Sequence, residues 1–90
     1  MRGTYLEVTF PGGQPLAAYL YLPRQQADRS ARVQKRQAGL LVDLTEDGRP
    51  MGIEIAIPAL VTVAAVNEIL AEYGLDPLEP AELAPLGKVA

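Results

Sequence analysis

The fold of this chain is decided by residues 40–57, LLVDLTEDGRPMGIEIAI. Apolar residues alternate with polar or small residues on both sides of an Asp-Gly pair, and this period of two is typical of half-buried strands. Glycine adopts a positive φ angle without steric cost and aspartate tolerates one, so Asp47 and Gly48 favour the tight turn of a β-hairpin. The segment therefore predicts two antiparallel strands joined at this turn.

The length of the hairpin loop sets which side chains face the core, because a slip of one residue turns every side chain to the opposite face. A three-residue loop would bring Asp43 among apolar side chains, which is costly. We therefore expect a loop of two or four residues, with Asp43 opposite Gly52 and Glu54 opposite Leu41 on the outer face. The predicted inner pairs are Leu44 with Met51, Val42 with Ile53 and Leu40 with Ile55.

Two further strands are predicted ahead of this hairpin, over residues 5–10 and 16–22. Both alternate in the same way, and the turn sequence PGGQP between them predicts a second hairpin. In the second strand Tyr19 and Tyr21 share the face opposite to Leu20 and Leu22. We expect the two tyrosines on the outer face of the sheet.

A weaker strand is predicted over residues 31–37. If Ala38 and Gly39 form a two-residue turn, Gln34 lies opposite Asp43, and Arg32 and Arg36 flank Asp43 on the outer face. Cross-strand charge pairs of this kind stabilise a sheet by roughly 0.2 to 1 kcal/mol. The same register points Lys35 toward the core side, where its stem could reach the sheet margin.

A helix is predicted from about Thr62 to Tyr73, because the apolar residues after Pro58 change to helical spacing. Thr62 is the expected N-cap, and Gly74 the expected left-handed terminator. The proline-rich residues 76–90 follow, with a short helical turn expected at residues 80–84. They either dock along the sheet or form a mobile arm.

Composition excludes several kinds of chemistry. The chain has no cysteine and no histidine, which removes disulfides, thiolates, typical zinc sites and the side chain best suited to proton transfer near neutral pH. We therefore expect no catalytic residue, no cofactor and no metal. No run reaches the roughly 18 apolar residues of a membrane span, so a cytoplasmic protein without membrane contact is expected.

Basic residues are concentrated in residues 24–36, although the chain has a net charge of −3. A basic segment can contact phosphates, as in nucleic-acid-binding proteins. It can equally pair with the protein's own carboxylates or deter edge-to-edge association of strands. The candidate nucleic-acid contacts are Arg24, Arg29, Arg32, Lys35 and Arg36.

Two carboxylate patterns resemble functional sites. The stretch from Asp43 to Glu54 matches the calcium-loop pattern with one substitution, but such loops lie between helices, and these flanks have strand periodicity. Asp43 and Glu54 also resemble an acid/base pair, yet they lie on an open face within reach of Arg32 and Arg36. We interpret both patterns as solvated or ion-paired carboxylates of a hairpin.

The predicted outer face is more apolar than a solvated sheet face needs to be. We expect this face to form the interface of a homodimer, with the tail folding over it as the alternative. The candidate interface residues are Tyr19, Tyr21, Leu41 and Ala56.

The segments LAAYLYL at residues 16–22 and GLLVDLTEDGRPMGIEI at residues 39–55 resemble the bacterial family called domain of unknown function 2283. The resemblance spans residues 16–55, about half of the chain. The preceding strand is usually more acidic in that family, whereas here it carries Arg32, Lys35 and Arg36. The family has no assigned activity, so the resemblance implies a small β-rich fold and no catalytic residue. Some members resemble small partner proteins of toxin-antitoxin-like gene pairs, which implies a protein-binding role.

We predict one α+β domain over residues 1–75, an antiparallel β-meander of about five strands with one C-terminal helix packed on one face. Residues 76–90 form a Pro-rich tail. The expected function is that of a noncatalytic, homodimeric interaction module that binds a protein partner through the outer sheet face or the tail. The alternative is a nucleic-acid-binding or regulatory, antitoxin-like protein that uses residues 24–36.

Overall fold

Five antiparallel strands form one sheet in the computed structural model, which describes residues 4–9, 12 and 17–86. In this part of the chain one α-helix, α1 (Val63–Glu72), follows the last strand. The strands and this helix confirm the predicted α+β class. The meander β3-β4-β5 joins the β1-β2 hairpin through β5, in the order β1-β2-β5-β4-β3. The strands are β1 (Tyr5–Thr9), β2 (Ala17–Tyr21), β3 (Arg32–Lys35), β4 (Leu40–Leu44) and β5 (Pro50–Ile55).

β1 pairs with β2, which confirms the hairpin predicted ahead of the central one. Phe10 and Leu16, which we placed in its strands, lie outside the described residues, as does the PGGQP turn apart from Gly12. On β2, Ala18 and Leu20 are buried while the side chains between them are only partly covered. The alternation predicted for this strand is therefore present.

The loop between β4 and β5 differs from the predicted even loop. The Thr45 N–H donates a 2.8 Å hydrogen bond to the Arg49 carbonyl, which closes a loop of three residues. A β-bulge follows, and Leu44 lies opposite Pro50 rather than opposite Met51, so this predicted pair is wrong. Proline has no N–H to give to the ladder and is found at bulges, which accounts for the irregularity at this position.

The odd loop and the bulge each shift the strand pairing by one residue. Together they return every side chain beyond the bulge to its predicted face. Asp43 lies opposite Gly52 and Leu41 opposite Glu54, as predicted. The six apolar side chains that we assigned to the inner face are all buried, namely Leu40, Val42, Leu44, Met51, Ile53 and Ile55.

The connection between β3 and β4 also has three residues instead of two. The Arg36 N–H bonds to the Leu40 carbonyl at 2.7 Å, and the 3-10 turn Gln37–Gly39 lies between them. Ala38 and Gly39 have positive φ angles of 59° and 72°. An odd loop turns the preceding strand over, and no bulge compensates within the connection.

The faces predicted for β3 are therefore wrong. Val33 lies opposite Asp43, and Lys35 lies opposite Leu41 on the outer face rather than toward the core. Arg32 lies opposite Leu44, on the side of the sheet that carries α1. Arg32 and Arg36 consequently do not flank Asp43.

The ends of α1 have the predicted capping residues. The Thr62 side chain accepts a 3.1 Å hydrogen bond from the Ala65 N–H. Gly74 has a φ angle of 69°, and the Leu75 N–H bonds to the Leu70 carbonyl at 2.9 Å, which is the long hydrogen bond of a Schellman motif. Sequence reasoning located both ends because the capping chemistry is local.

The core lies between the inner face of the sheet, the helix and the tail. Of the two alternatives for the tail, docking is observed over the described residues 76–86, where Leu78, Leu83 and Leu86 are buried in the common core cluster. The 3-10 segment Pro80–Leu86 lies against β1. The Asn67 side chain on α1 fixes the tail, because it accepts from the Leu78 N–H at 2.7 Å and donates to the Leu78 carbonyl at 3.1 Å.

Candidate functional site at the outer sheet face

The outer face is the side of the sheet opposite to α1, formed by alternate residues of every strand. The helix and the segment Pro80–Leu86 bury their apolar side chains in the inner core, so these two elements leave the outer face uncovered. Its members are Tyr5, Glu7 and Thr9 of β1, Ala17, Tyr19 and Tyr21 of β2, Gly52 and Glu54 of β5, Leu41 and Asp43 of β4, and Val33 and Lys35 of β3.

Three tyrosines form a continuous aromatic cluster on this face. Tyr5 stacks on Tyr21, with ring centroids 4.4 Å apart and planes inclined by 15°. Tyr19 meets Tyr21 edge to face at 4.7 Å. Arg24 lies with its guanidinium 5.5 Å from the Tyr21 ring centroid, within cation–π range. Tyr5 caps the cluster and is 62% exposed, whereas Tyr19 and Tyr21 are half-buried beside it.

Hydrogen bonds hold two of these rings in place. The Tyr19 hydroxyl donates to Asp43 Oδ2 at 2.6 Å, and the Tyr21 hydroxyl donates to Glu7 Oε1 at 3.0 Å. Burial, reinforced by the bond to Asp43, raises the pKa of Tyr19 well above its ordinary value. The bond to Glu7 raises the pKa of Tyr21 as well. At physiological pH both phenols are protonated and donate to these two carboxylates.

Tyr19 reaches Asp43 across the intervening strand β5, and Gly52 makes this possible. A Cβ atom at position 52 would lie closer to the Tyr19 hydroxyl and ring than van der Waals contact allows. Gly52 does not have a positive φ angle, so the requirement for glycine here is the space taken by the tyrosine.

Asp43 and Glu54, which belong to both the calcium-like and the acid/base pattern, lie on neighbouring strands, and strands rather than helices flank the turn between them. Asp43 receives the Tyr19 hydroxyl, whereas Glu54 is exposed. Within residues 4–9, 12 and 17–86, no group of acidic side chains has an arrangement suited to a metal ion. The hollow beside Tyr19 and Glu54 is open and has a volume of about 230 Å³. The outer face also carries the charged side chains of Glu7, Glu54 and Lys35.

Three of the four predicted interface residues lie together on the outer face, namely Tyr19, Tyr21 and Leu41. Ala56 lies just beyond the end of β5, exposed, with its N–H bonded to the Gly39 carbonyl at 2.9 Å. Sequence reasoning missed Tyr5 as a member of this surface. The signal was present in the alternation, which places Tyr5 on the same face as Glu7 and Thr9 and opposite to Leu6 and Val8. In the structure Tyr5 lies directly opposite Tyr21.

The five predicted nucleic-acid contacts are dispersed. Arg24 lies against Tyr21. Arg36 forms a two-bond ion pair with Glu72 of α1, including an Nη1 to Oε1 distance of 3.1 Å, and this pair lowers the pKa of Glu72. The other three are exposed, and in the described part of the chain no carboxylate pairs with them, namely Arg29, Arg32 and Lys35. Nucleic-acid binding by residues 24–36 stays a prediction from the sequence.

Sequence reasoning also missed an ion-pair cluster centred on Arg49. Its guanidinium forms bonds of 3.0 and 2.8 Å with the two oxygens of Asp28 and a bond of 3.1 Å with Asp47. Hydrogen bonds from Arg49 lower the pKa of Asp28, and those from Thr45 and Arg49 lower the pKa of Asp47. The cluster connects the β2-β3 connection to the central hairpin. Asp28 and Arg49 are 21 residues apart in the sequence, so no local pattern predicts their contact.

Comparison of the chain with protein-family models, curated proteins and solved structures gives no match. The similarity to domain of unknown function 2283 therefore stays a prediction based on the two quoted segments. No helix in the described residues is long and apolar enough to cross a membrane.

Proposed function

We propose that the protein is a noncatalytic interaction module that forms a homodimer through the outer face of its sheet. The observation that carries the proposal is the partly exposed aromatic cluster of Tyr5, Tyr19 and Tyr21. Tyrosine is enriched at protein interfaces because its ring supplies contact area while its hydroxyl satisfies a polar partner. An aromatic surface of this kind is the expected counterpart of another protein surface.

The cluster is arranged before any partner binds. Tyr19 is held by Asp43 and Tyr21 by Glu7, and their rings contact each other. Ordering side chains at an interface costs about 0.5 to 1.5 kcal/mol for each side chain that becomes fixed. Since two rings are already fixed, this cost is smaller here than for mobile side chains.

Two-fold symmetry brings one pair of opposite charges on the outer face together, Glu7 and Lys35, whereas Glu54 of the central strand β5 faces Glu54 of the second copy. Glu7 lies on the edge strand β1, and Lys35 lies on the opposite edge strand β3. A two-fold axis parallel to the strands places β1 of one copy over β3 of the other, so each Glu7 approaches a Lys35 of the second copy. Such complementarity favours one orientation over others.

The area of the face predicts a weak dimer. Five strands spaced by about 4.8 Å and about five residues of 3.3 Å rise give a flat footprint of roughly 400 Å². Stable interfaces bury about 800 Å² of accessible surface for each partner. Side-chain relief increases the accessible area above the flat value, but Glu54 on the central strand must lose water. We therefore expect association that depends on concentration in the micromolar range or above.

Sedimentation velocity over a wide concentration range tests this proposal. Leu41→Arg places a charge in the middle of the outer face, and Leu60→Arg is the matched control, since Leu60 is 54% exposed but lies outside the sheet. We expect the wild type and Leu60→Arg to shift from monomer to dimer as concentration rises, whereas Leu41→Arg stays monomeric. A monomeric wild type at all concentrations, or equal dimerisation of the two variants, contradicts the proposal.

A further inference from the structure

The two edges of the sheet differ in what accompanies them. The edge strand β1 has the segment Pro80–Leu86 packed against it. The other edge strand, β3, pairs with β4 on one side, and all four of its residues are exposed. An edge strand that exposes its backbone is a template for pairing with another extended chain.

The hydrogen-bond pattern shows which backbone groups of β3 face this open edge. The Arg36 N–H bonds to the Leu40 carbonyl, and hydrogen-bonded pairs alternate along an antiparallel ladder. Gln34 therefore directs its N–H and carbonyl groups toward β4, and before the first residue of the strand the Ala31 N–H bonds to the Leu44 carbonyl at 2.8 Å. Val33 and Lys35 direct theirs away from β4, so these two residues offer donors and acceptors to an added strand.

The side chains along this edge are apolar at one point and basic around it. Val33 is 56% exposed, which is unusual for a branched aliphatic residue. Arg32, Lys35 and the nearby Arg29 are exposed and lack a carboxylate partner in the described part of the chain. A hollow of about 400 Å³ follows the strand, lined by Arg32, Val33, Gln34 and Leu44.

We propose that β3 binds an acidic extended segment of a different protein, which adds to the sheet as an antiparallel sixth strand. Charge complementarity identifies the occupant as acidic. A second copy is a poor occupant, because pairing two β3 strands would bring Arg32 and Lys35 of one copy beside those of the other. The side chains of Val33 and Lys35 also belong to the outer face. The backbone groups of β3 point along the plane of the sheet instead, so strand addition does not require the proposed homodimer.

The register defines a pattern for the added segment. The residue opposite Val33 is aliphatic and lies on the outer side. An acidic residue two positions earlier lies opposite Lys35, and another acidic residue one position later lies opposite Arg32. Read in chain order, the pattern is acidic, any polar residue, aliphatic, acidic.

A capped peptide of sequence Ser-Glu-Thr-Val-Glu-Ser follows this pattern and serves as the probe. Its valine and first glutamate donate N–H groups to β3, whereas its threonine N–H points away from β3. N-methylation of the valine should therefore weaken binding about tenfold or more, while N-methylation of the threonine should leave it unchanged. Binding should also slow amide hydrogen exchange at Val33 and Lys35 but not at Gln34, whose N–H is already bonded.

Variants of the protein test the same geometry from the other side. Val33→Pro removes an N–H that the native ladder does not use, so we expect a folded protein that no longer binds the peptide. Val33→Thr keeps the N–H and should bind. Reversal of Arg32 and Lys35 to glutamate should weaken binding about tenfold.

Equal binding of the two N-methylated peptides would overturn the proposal, because it would reduce the interaction to charge alone. Equal binding of a peptide with the same composition in scrambled order would do the same. Displacement of the bound peptide by a lower concentration of a thymidine oligonucleotide would also overturn it and would identify the edge as a nucleic-acid contact.

Discussion

The ring of Tyr19 occupies the space that a side chain at position 52 would need. The two residues lie on neighbouring strands, and the tyrosine crosses over Gly52 to reach Asp43. The absence of a side chain at position 52 of the central strand β5 thus allows Tyr19 to join β2 to β4. This relationship orders the middle of the outer face.

Gly52→Ala should destabilise the protein by about 1 to 3 kcal/mol, because the added methyl group must displace the Tyr19 ring. Chemical denaturation of a double-mutant cycle with Tyr19→Ala measures this effect. In the Tyr19→Ala background the clash is absent, so the same alanine at position 52 should cost much less. An equal loss in both backgrounds would assign the effect of the alanine to the strand backbone and contradict the packing argument.

The stability of the wild type should decline at alkaline pH more than that of Tyr19→Phe. Burial and the bond to Asp43 raise the pKa of Tyr19 in the folded state above its ordinary value of 10.0. Stabilisation from this group is therefore fully present below pH 10 and is lost as the pH rises toward the folded pKa. Denaturation curves from pH 8 upward test the difference between the two proteins. A parallel decline of both would contradict it.

Phenolate absorbance provides a second measure of the same pKa. The difference in phenolate absorbance between the wild type and Tyr19→Phe, followed as the pH rises, should report a single tyrosine that ionises above pH 10. Tyr19→Phe should also cost about 1 kcal/mol at neutral pH, because Asp43 loses a hydrogen-bond donor.

Arg49→Gln should lower the free energy of unfolding at neutral pH, and this difference from the wild type should disappear in acid. The pKa values of Asp28 and Asp47 are lowered in the folded state below the ordinary 3.8. Their contribution is therefore present above pH 3.8 and disappears as the pH falls through the folded values. The matched control is Arg29→Gln, which removes an arginine from the same surface region that has no ion-pair partner in the described residues. Thermal unfolding from pH 7 down to pH 2 should separate the two variants, and identical profiles would contradict the role of the cluster.

Asn67→Ala should loosen the tail, since the Asn67 side chain makes two hydrogen bonds to the backbone of Leu78. We expect a loss of about 1 to 3 kcal/mol and faster hydrogen exchange at the Leu78 amide. Asn67→Asp keeps an acceptor for the Leu78 N–H and should show a smaller increase in exchange. Unchanged exchange at Leu78 in Asn67→Ala would show that the buried leucines alone hold the tail.

The sequence predicted the elements whose determinants are local. Alternation located the strands, Thr62 and Gly74 located the helix ends, and the Asp-Gly pair located the central turn. The exact loop lengths were not predictable from these signals. Ala38 adopts a positive φ angle that alanine rarely takes, as part of a three-residue turn whose odd length reversed the faces of β3.

The central hairpin shows how two errors can cancel. The loop has an odd number of residues, contrary to the prediction, but the bulge before Gly52 restores the predicted faces. The burial of apolar residues determined the outcome, and the backbone accommodated it. The contacts of Arg49 and Arg36 were beyond reach for a different reason, since each joins segments that only the complete fold brings together.

The central claim is that the outer face binds a second copy of the chain. Isotope-filtered nuclear Overhauser measurements on a mixture of labelled and unlabelled protein test it most directly, because they detect only contacts between copies. We predict intermolecular contacts from the ring protons of Tyr5 and Tyr21 and from the methyl groups of Leu41. Contacts confined to another surface, such as the methyl groups of Leu60, or no contacts at millimolar concentration, would contradict the claim.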